Sequence, residues 1–415
     1  MKYSIITFGC RVNQADSLVI ARDLRARGVV EAPPTQADVV VVNTCTVTAA
    51  ADQGARQTIR RIVRDNPDVR IVVTGCYATR RRDEVSELPN VVTIVSNEHK
   101  DDLVERVARG FGLPGVELTT AVRFGSGEGP CGDPLSPGVA GRTALTLRVQ
   151  TGCEEQCSYC VIPQTRGAGR SRPLQEVRRL VEDAVASGYR EIVIAGVHLG
   201  SYGRDVGDGT EFATLVRILA EWEAEVLFRI SSLEPMDCTR EIVELVATSP
   251  RLAPHFHLPL QHGADDMLRA MRRPYTASAY ANLVGYVRAR LPHASIGSDI
   301  IVGFPGESSA HFEETEALLR ELPLTHLHVF PYSDRPGTDA TSMSGKVDGA
   351  TIRERGRRVR AIGHDMATRF RQSQQGAVRR ALTVDDGWSA VTDNYLKVTL
   401  DTPHSRNEWI DVRID

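Results

Sequence analysis

The chain has 415 residues, 41% hydrophobic and 25% charged, with 50 basic against 53 acidic side chains and a net charge of −3. That is the composition of a globular protein too long for one ordinary core, and two or three domains are expected. No apolar run reaches the roughly 18 residues of a membrane span, and the start Met1-Lys-Tyr-Ser-Ile-Ile-Thr-Phe-Gly-Cys10 lacks the long apolar stretch of a signal peptide, so no membrane partner and a cytoplasmic location are expected.

Residues 1–110 alternate strand and helix signals: apolar strands at 3–8, 38–42 and 70–74, with helical patterns at 13–27 and 48–66. Such alternation predicts an α/β unit with a parallel sheet and helical crossovers. Each strand runs into a cysteine, at Cys10, Cys45 and Cys76. Parallel strands share one carboxyl edge, the edge where open α/β sheets bind ligands, so the three cysteines should converge. Small thiols buried at strand ends are common. Three in the same relative position fit an iron–sulfur cluster with one open iron better than a closed zinc site.

Residues 111–142 are rich in glycine, proline and serine and read as a linker. Cys131 lies there without a nearby partner and reads as a bystander, like Cys238. From 143 to 371 come six strand candidates, at 144–150, 191–195, 226–231, 256–260, 296–302 and 325–330, each followed by a helix or loop. Repeated βα units of this number build an open or closed parallel barrel whose active groups lie on the loops after the strands. The loop after the first strand reads Gln150-Thr-Gly-Cys153-Glu-Glu-Gln-Cys157-Ser-Tyr-Cys160. Three thiolates this close can hold three corners of a cubane cluster and leave the fourth iron without a protein ligand. Structural zinc wants four ligands, and a paired C-x2-C elsewhere is missing.

The following strands end in Ala195-Gly196-Val-His198, Ser231-Ser-Leu-Glu234-Pro235 and Ile301-Val-Gly303-Phe-Pro-Gly-Glu307. His198, His257, Gln261 and His262 fall at strand ends and suit proton transfer, substrate contact or plain structural burial. Residues 372–415 change to short strands among Asp, Gly and Asn turns, as in a small β-barrel. There Trp388 and Tyr395 either fill a small core or stack on single-stranded RNA. Nearly all cations are arginine, clustered at Arg56, Arg60, Arg61 and Arg64, at Arg80, Arg81 and Arg82, and from Arg353 to Arg360.

The C-x3-C-x2-C loop, with Tyr159 before its last cysteine, resembles the radical S-adenosylmethionine (SAM) superfamily. That likeness implies a partial barrel of six βα units, a 4Fe-4S cluster on Cys153, Cys157 and Cys160, and SAM held on the open iron with Tyr159, Gly196, Ser231, Glu234 and Gly303 around it. Four further stretches extend the match: Thr7-Phe-Gly-Cys-Arg-Val-Asn-Gln14, Asn43-Thr-Cys-Thr-Val-Thr48, Arg166-Gly-Ala-Gly-Arg-Ser-Arg172 and Tyr332-Ser-Asp-Arg-Pro-Gly-Thr338. With them the chain resembles the radical SAM methylthiotransferases over essentially its whole length. Its last segment is similar to their TRAM domain at Thr392-Asp-Asn-Tyr-Leu-Lys-Val398, though short. The resemblance implies a second 4Fe-4S cluster on Cys10, Cys45 and Cys76, two SAM per turnover, and an electron donor such as flavodoxin or ferredoxin. The Gly-Cys-Arg-Val-Asn-Gln start looks most like the bacterial branch acting on threonylcarbamoyladenosine at position 37 of tRNA, in the anticodon stem-loop. The alternatives are the same chemistry on isopentenyladenosine or on an aspartate of a ribosomal protein, and a zinc-stabilised RNA-binding protein without catalysis.

Overall fold

The structure is a computed structural model that describes residues 1–111 and 143–415. The linker expected at 111–142, with Cys131, lies outside the described residues except for Phe111, which ends the helix Leu103–Phe111.

Strands β1 (Lys2–Thr7), β2 (Val30–Glu31), β3 (Val39–Thr44), β4 (Arg70–Gly75) and β5 (Val91–Val95) form one parallel sheet in the order β2-β1-β3-β4-β5. Because helices cover both faces, β3 is a run of four valines, Asn43 and Thr44, all buried. Helix α1 (Arg11–Ala26) packs Ile20 and Leu24 on one face, and helix α2 (Ala49–Asp65) packs Ala55, Ile59 and Ile62 on the other. The strand order reverses between β1 and β3, which opens a crevice at their carboxyl ends.

The second unit starts at β6 (Leu145–Arg148), followed by a short antiparallel pair, β7 (Gln150–Thr151) with β8 (Arg170–Ser171), that brackets the second cysteine loop. Strands β9 (Glu191–Ala195), β10 (Leu227–Ile230), β11 (His255–His257), β12 (Ser295–Val302) and β13 (His326–Pro331) complete two parallel sheets, β10-β9-β6 and β11-β12-β13. The parallel bridge Ser232↔His257 joins them into one six-stranded partial barrel, as the sequence predicts. Residues Ile192, Ile194, Phe228, Ile230, Phe256, Ile296 and Ile300 face the outer helices. Strand alternation therefore turns Glu191, Arg229, His255, His257, Asp299, His326 and His328 inward, and the lumen is polar.

The helix Gly349–Gln374 packs on β13 and runs past the boundary expected at residue 371. It leads into β14 (Val378–Val384), β15 (Ser389–Thr392), β16 (Lys397–Thr399) and β17 (Trp409–Arg413), an antiparallel sheet in the order β16-β15-β14-β17 around Ala381, Ala390 and Val412. Among the described residues no helix is long and apolar enough to cross a membrane.

Two buried ionic joints dock the first unit on the barrel. Helix α1 lies against β6, where the Asp16 carboxylate accepts from Lys100 at 2.8 Å, from Arg148 at 2.7 Å and from Arg166 at 3.4 Å. On the other side Arg335 pairs with Asp52 at 2.9 Å, and Arg80 donates to the carbonyl of Pro336 at 2.9 Å.

Candidate cluster sites and the barrel lumen

Two glycines bring the first cysteine triad together. Gly9 takes φ +88°, and a Cβ there would lie 2.6 Å from the Cys45 Sγ. Gly75 takes φ +96°, and a Cβ there would meet the Thr44 carbonyl oxygen at 2.2 Å. Only glycine accepts both the left-handed backbone and the close approach. Cys10 is exposed at the start of α1, while Cys45 and Cys76 are buried. Burial pushes the Cys45 thiol up to about 11, and the neighbouring Cys76 and Cys10 add to the rise. Burial also opposes ionisation of Cys76, but Arg166, Lys100 and a 3.5 Å hydrogen bond from Asn97 outweigh it and hold this thiol below its ordinary value. The three sulfurs thus lie within each other's electrostatic reach at the edge the sequence predicts.

The second triad sits on the loop between β7 and β8. Gly152, at φ +77°, passes so close to Ala168 that a Cβ would fall 1.9 Å from its carbonyl oxygen. The Cys153 N–H donates to Gly167 O at 3.0 Å, and the Ser158 hydroxyl donates to Ala270 O at 2.8 Å. Arg273 donates to the Cys157 Sγ at 3.2 Å and pairs with Glu234. The Cys153 Sγ lies 3.8 Å from His198 Nδ1, whose Nε2 is 2.7 Å from Asp237. Burial pushes the Cys160 thiol up to about 12, reinforced by Cys157 and Cys153. Among the described residues, His257, Asp299 and His328 bring three ligand atoms within 4.8 Å of one another. Each cysteine triad offers three thiols, and the remaining described cysteine, Cys238, lies in the barrel core, so the donor sets suit a metal–sulfur cluster with one open iron.

Of the other residues singled out by sequence, four are linked to this loop. Tyr159 stands edge-on to Phe304, with centroids 6.4 Å apart, beside Gly303. Gly303, at φ +80°, and Phe304 both donate to the buried Glu307 carboxylate, which Arg355 neutralises at 2.9 Å. Glu234 reaches the loop through Arg273. Gly196 opens the turn whose Val197 and His198 N–H groups donate to the Gln150 side chain at 3.0 and 2.9 Å. Ser231 follows β10, its backbone N–H donating to Ile194 O of the neighbouring β9 at 3.0 Å. His262 is a buried structural histidine, its Nδ1 accepting from the Ala264 N–H at 3.0 Å, and burial pushes it down to about 3. Cys238 lies in the barrel core, where burial pushes it up to about 12. Gln261 takes φ +69° and donates its N–H to Asp299 O at 2.8 Å.

Sequence reasoning found only His257 of the lumen. Asp299 accepts from His257 at 2.9 Å and from His328 at 3.2 Å. That bond raises His328, whereas burial pushes His326 down to about 4 and His255 well below its ordinary value. Arg229 pairs with Glu191 at 2.8 Å and stacks over the Tyr395 ring at 4.8 Å; the Tyr395 hydroxyl accepts from Arg11 at 2.6 Å. Tyr395 thus borders the lumen wall with its ring engaged by Arg229, and both it and Trp388 remain exposed. The spacing of His255 with His257 and of His326 with His328, two residues apart on strands, was the available signal.

A partial parallel barrel with a three-cysteine loop after its first strand defines a radical SAM enzyme. The Radical SAM superfamily matches residues 147–319, and a second family, described as uncharacterized protein family UPF0004, matches residues 2–97. The chain is 34% identical to a threonylcarbamoyladenosine tRNA methylthiotransferase (MtaB) of Aquifex aeolicus, over 96% of each protein, and 34% identical to that of Bacillus subtilis, over 94% of this chain and 88% of the relative. It is 35% identical to a tRNA-2-methylthio-N(6)-dimethylallyladenosine synthase of a Parafrankia species, over 90% of this chain and 76% of the relative. The chain belongs to the radical SAM methylthiotransferase family. Its fold is similar to that of the radical SAM methyltransferase TsrM of Kitasatospora setae, with a TM-score of 0.59 at 16% identity over 82% of this chain and 76% of that one.

Proposed function

We propose that this protein methylthiolates carbon 2 of threonylcarbamoyladenosine at position 37 of tRNA, with one 4Fe-4S cluster on each cysteine triad. The observation that carries this reading is the pair of three-thiol sites, one at the ends of β1, β3 and β4 and one on the loop between β7 and β8, on units docked through the buried carboxylate of Asp16. When bound, the clusters and SAM supply a carbon-centred radical and the sulfur. The protein's own residues hold and shield these groups. Cys153, Cys157 and Cys160 hold one cluster, with Arg273 fixing Cys157 and His198 beside Cys153. Tyr159, Gly196, Ser231, Glu234 and Gly303 form the SAM pocket. Cys10, Cys45 and Cys76 hold the second cluster, with Arg166 and Lys100 offsetting the thiolate charge. A radical formed between them is quenched by water, so turnover requires the bound substrate and cofactors to fill that space.

Identity alone does not choose between the two base modifications, because relatives named for each match at 34% and 35% identity. The lumen favours the threonylcarbamoyl group, whose urea, hydroxyl and carboxylate suit histidine and arginine walls, over an apolar dimethylallyl group. The segments 1–110, 143–371 and 372–415 then serve as sulfur-donating, radical-generating and RNA-docking units, in the cytoplasm, with flavodoxin or ferredoxin as reductant.

The test is nucleoside mass spectrometry of total tRNA from a strain lacking the gene. Loss of 2-methylthio-threonylcarbamoyladenosine with accumulation of its parent is the expected result; loss of the dimethylallyl derivative instead assigns the other branch. Iron and sulfide should fall by about half when Cys153, Cys157 and Cys160 are all replaced by alanine, on the three-thiolate logic above.

A further inference from the structure

We propose that Arg11 reads the substrate, its guanidinium taking the carboxylate of the threonylcarbamoyl group. The inference rests on the reading given under Proposed function and names the side chain that makes the choice.

Arg11 stands one residue after Cys10, on the first turn of α1, and its Nη2 donates to the Tyr395 hydroxyl, 384 positions away in sequence. That bond aims the side chain across the joint between two units, at the lumen wall of the barrel. Its charge is felt there by His255 and His328. Among the described residues, no carboxylate lies within ion-pair distance of Arg11. The lumen carboxylates are engaged elsewhere, Asp299 by His257 and His328, and Glu191 by Arg229. A guanidinium stays charged at any pH a protein survives, and Arg11, half-buried and held by a neutral phenol, keeps donors that an incoming anion can take.

The phenol occupies one N–H of the fork, and the remaining donors suit a carboxylate. Position agrees with chemistry. The ring carbon to be modified must approach the sulfur-bearing site at Cys10, and the N6 arm of the same ring then reaches a group on the adjacent residue. A dimethylallyl arm would bury the guanidinium against hydrocarbon and leave its charge unpaired. A backbone phosphate of the RNA is the other possible anion, and it would be read without regard to the base modification.

The two sources separate in a binding experiment on anaerobically purified holoenzyme. Anticodon stem-loop RNAs are made with threonylcarbamoyladenosine at position 37 as the free acid and as its methyl ester, and the Kd of each is measured by fluorescence anisotropy. The wild type should bind the acid about ten- to a hundredfold more tightly than the ester, the size of a hydrogen-bonded charge contact. Arg11→Met should bring the ratio to about one, and Arg11→Lys should keep part of it. Iron content at the wild-type level shows that the neighbouring cluster is intact; if Arg11→Met loses iron, Tyr395→Phe, which removes the hydroxyl that aims Arg11, is read in the same way. An acid-to-ester ratio unchanged in these variants overturns the proposal, and so does an equal weakening of both RNAs, which marks a phosphate contact. A wild type that prefers a dimethylallyladenosine stem-loop to either overturns the substrate reading itself.

Discussion

Asp16→Asn tests how the two units are held together. The Asp16 side chain is 1% exposed, with Lys100 and Arg166 at 2% and Arg148 at 10%. Burial pushes the carboxyl up, but the three cations outweigh it and hold it well below the ordinary carboxylate range. Asparagine keeps the size and one acceptor oxygen but strands the cations. Removing one member of such a buried set costs about 3–5 kcal/mol. Over the unfolding entropy of a 415-residue chain melting as one unit, this lowers Tm by about 3–6 °C. The pH dependence has a definite sign. A depressed carboxylate contributes stability above its unfolded value, 3.8, which is lost as pH falls further. Acidification to about pH 5 should leave the wild-type joint intact, and the Asn variant should lack the acid limb that this site supplies below about pH 4. Calorimetry on the anaerobic holoprotein measures the loss. Arg148→Met, which removes one stranded cation, should cost less in the Asn background than in the wild type, with a coupling of about 1–3 kcal/mol. A loss under about 1 kcal/mol, or additive single and double variants, would refute the view that Asp16 holds the joint.

Two more substitutions probe the sites separately. Gly75→Ala forces a Cβ against the Thr44 carbonyl at 2.2 Å and a side chain into φ +96°, so the variant should keep about half its iron, on the second triad alone; a full complement, by iron and sulfide assay, would show that the first triad tolerates the displacement. Glu307→Gln removes the charge that Arg355 neutralises and that Gly303 and Phe304 bind, and the expected outcome is a SAM Kd raised about tenfold, by equilibrium dialysis, with iron unchanged; an unaltered Kd would separate the Gly303 loop from the cofactor.

The cysteines were legible because their signal is local or periodic. Cys153, Cys157 and Cys160 share one loop, and Cys10, Cys45 and Cys76 each close a buried parallel strand, so strand direction alone predicts that they meet. The six barrel strands were legible for the same reason, through β-branched runs such as Ile192, Val193 and Ile194. The joint was not. Asp16, Lys100, Arg148 and Arg166 lie far apart in sequence, on α1, beside the first sheet, and on both sides of the second cysteine loop, and each alone reads as a solvated charge. Only the packing of α1 on β6 brings them together. The contact between Tyr395 and Arg11 was hidden likewise, because a contact across 384 residues leaves no periodicity to read.

Two of the stretches that carry the family resemblance dock from the barrel side. Arg335, in the Tyr332–Thr338 stretch, holds Asp52, and Arg166, which opens the Arg166–Arg172 stretch, reaches the first unit itself. Arg166 donates to the Asn13 side chain at 2.6 Å, approaches Asp16 at 3.4 Å, and lends its positive charge to Cys76. A thiolate is the metal-binding form of cysteine, so any group that favours the Cys76 thiolate also favours the metal. The side chain that docks the barrel thus also stabilises the ligand on the unit it docks to. An undocked first unit lacks that charge and keeps only Lys100 and Asn97 to favour the thiolate. Cluster retention at Cys10, Cys45 and Cys76 and docking of the two units share one guanidinium, and a variant that removes Arg166 should weaken both.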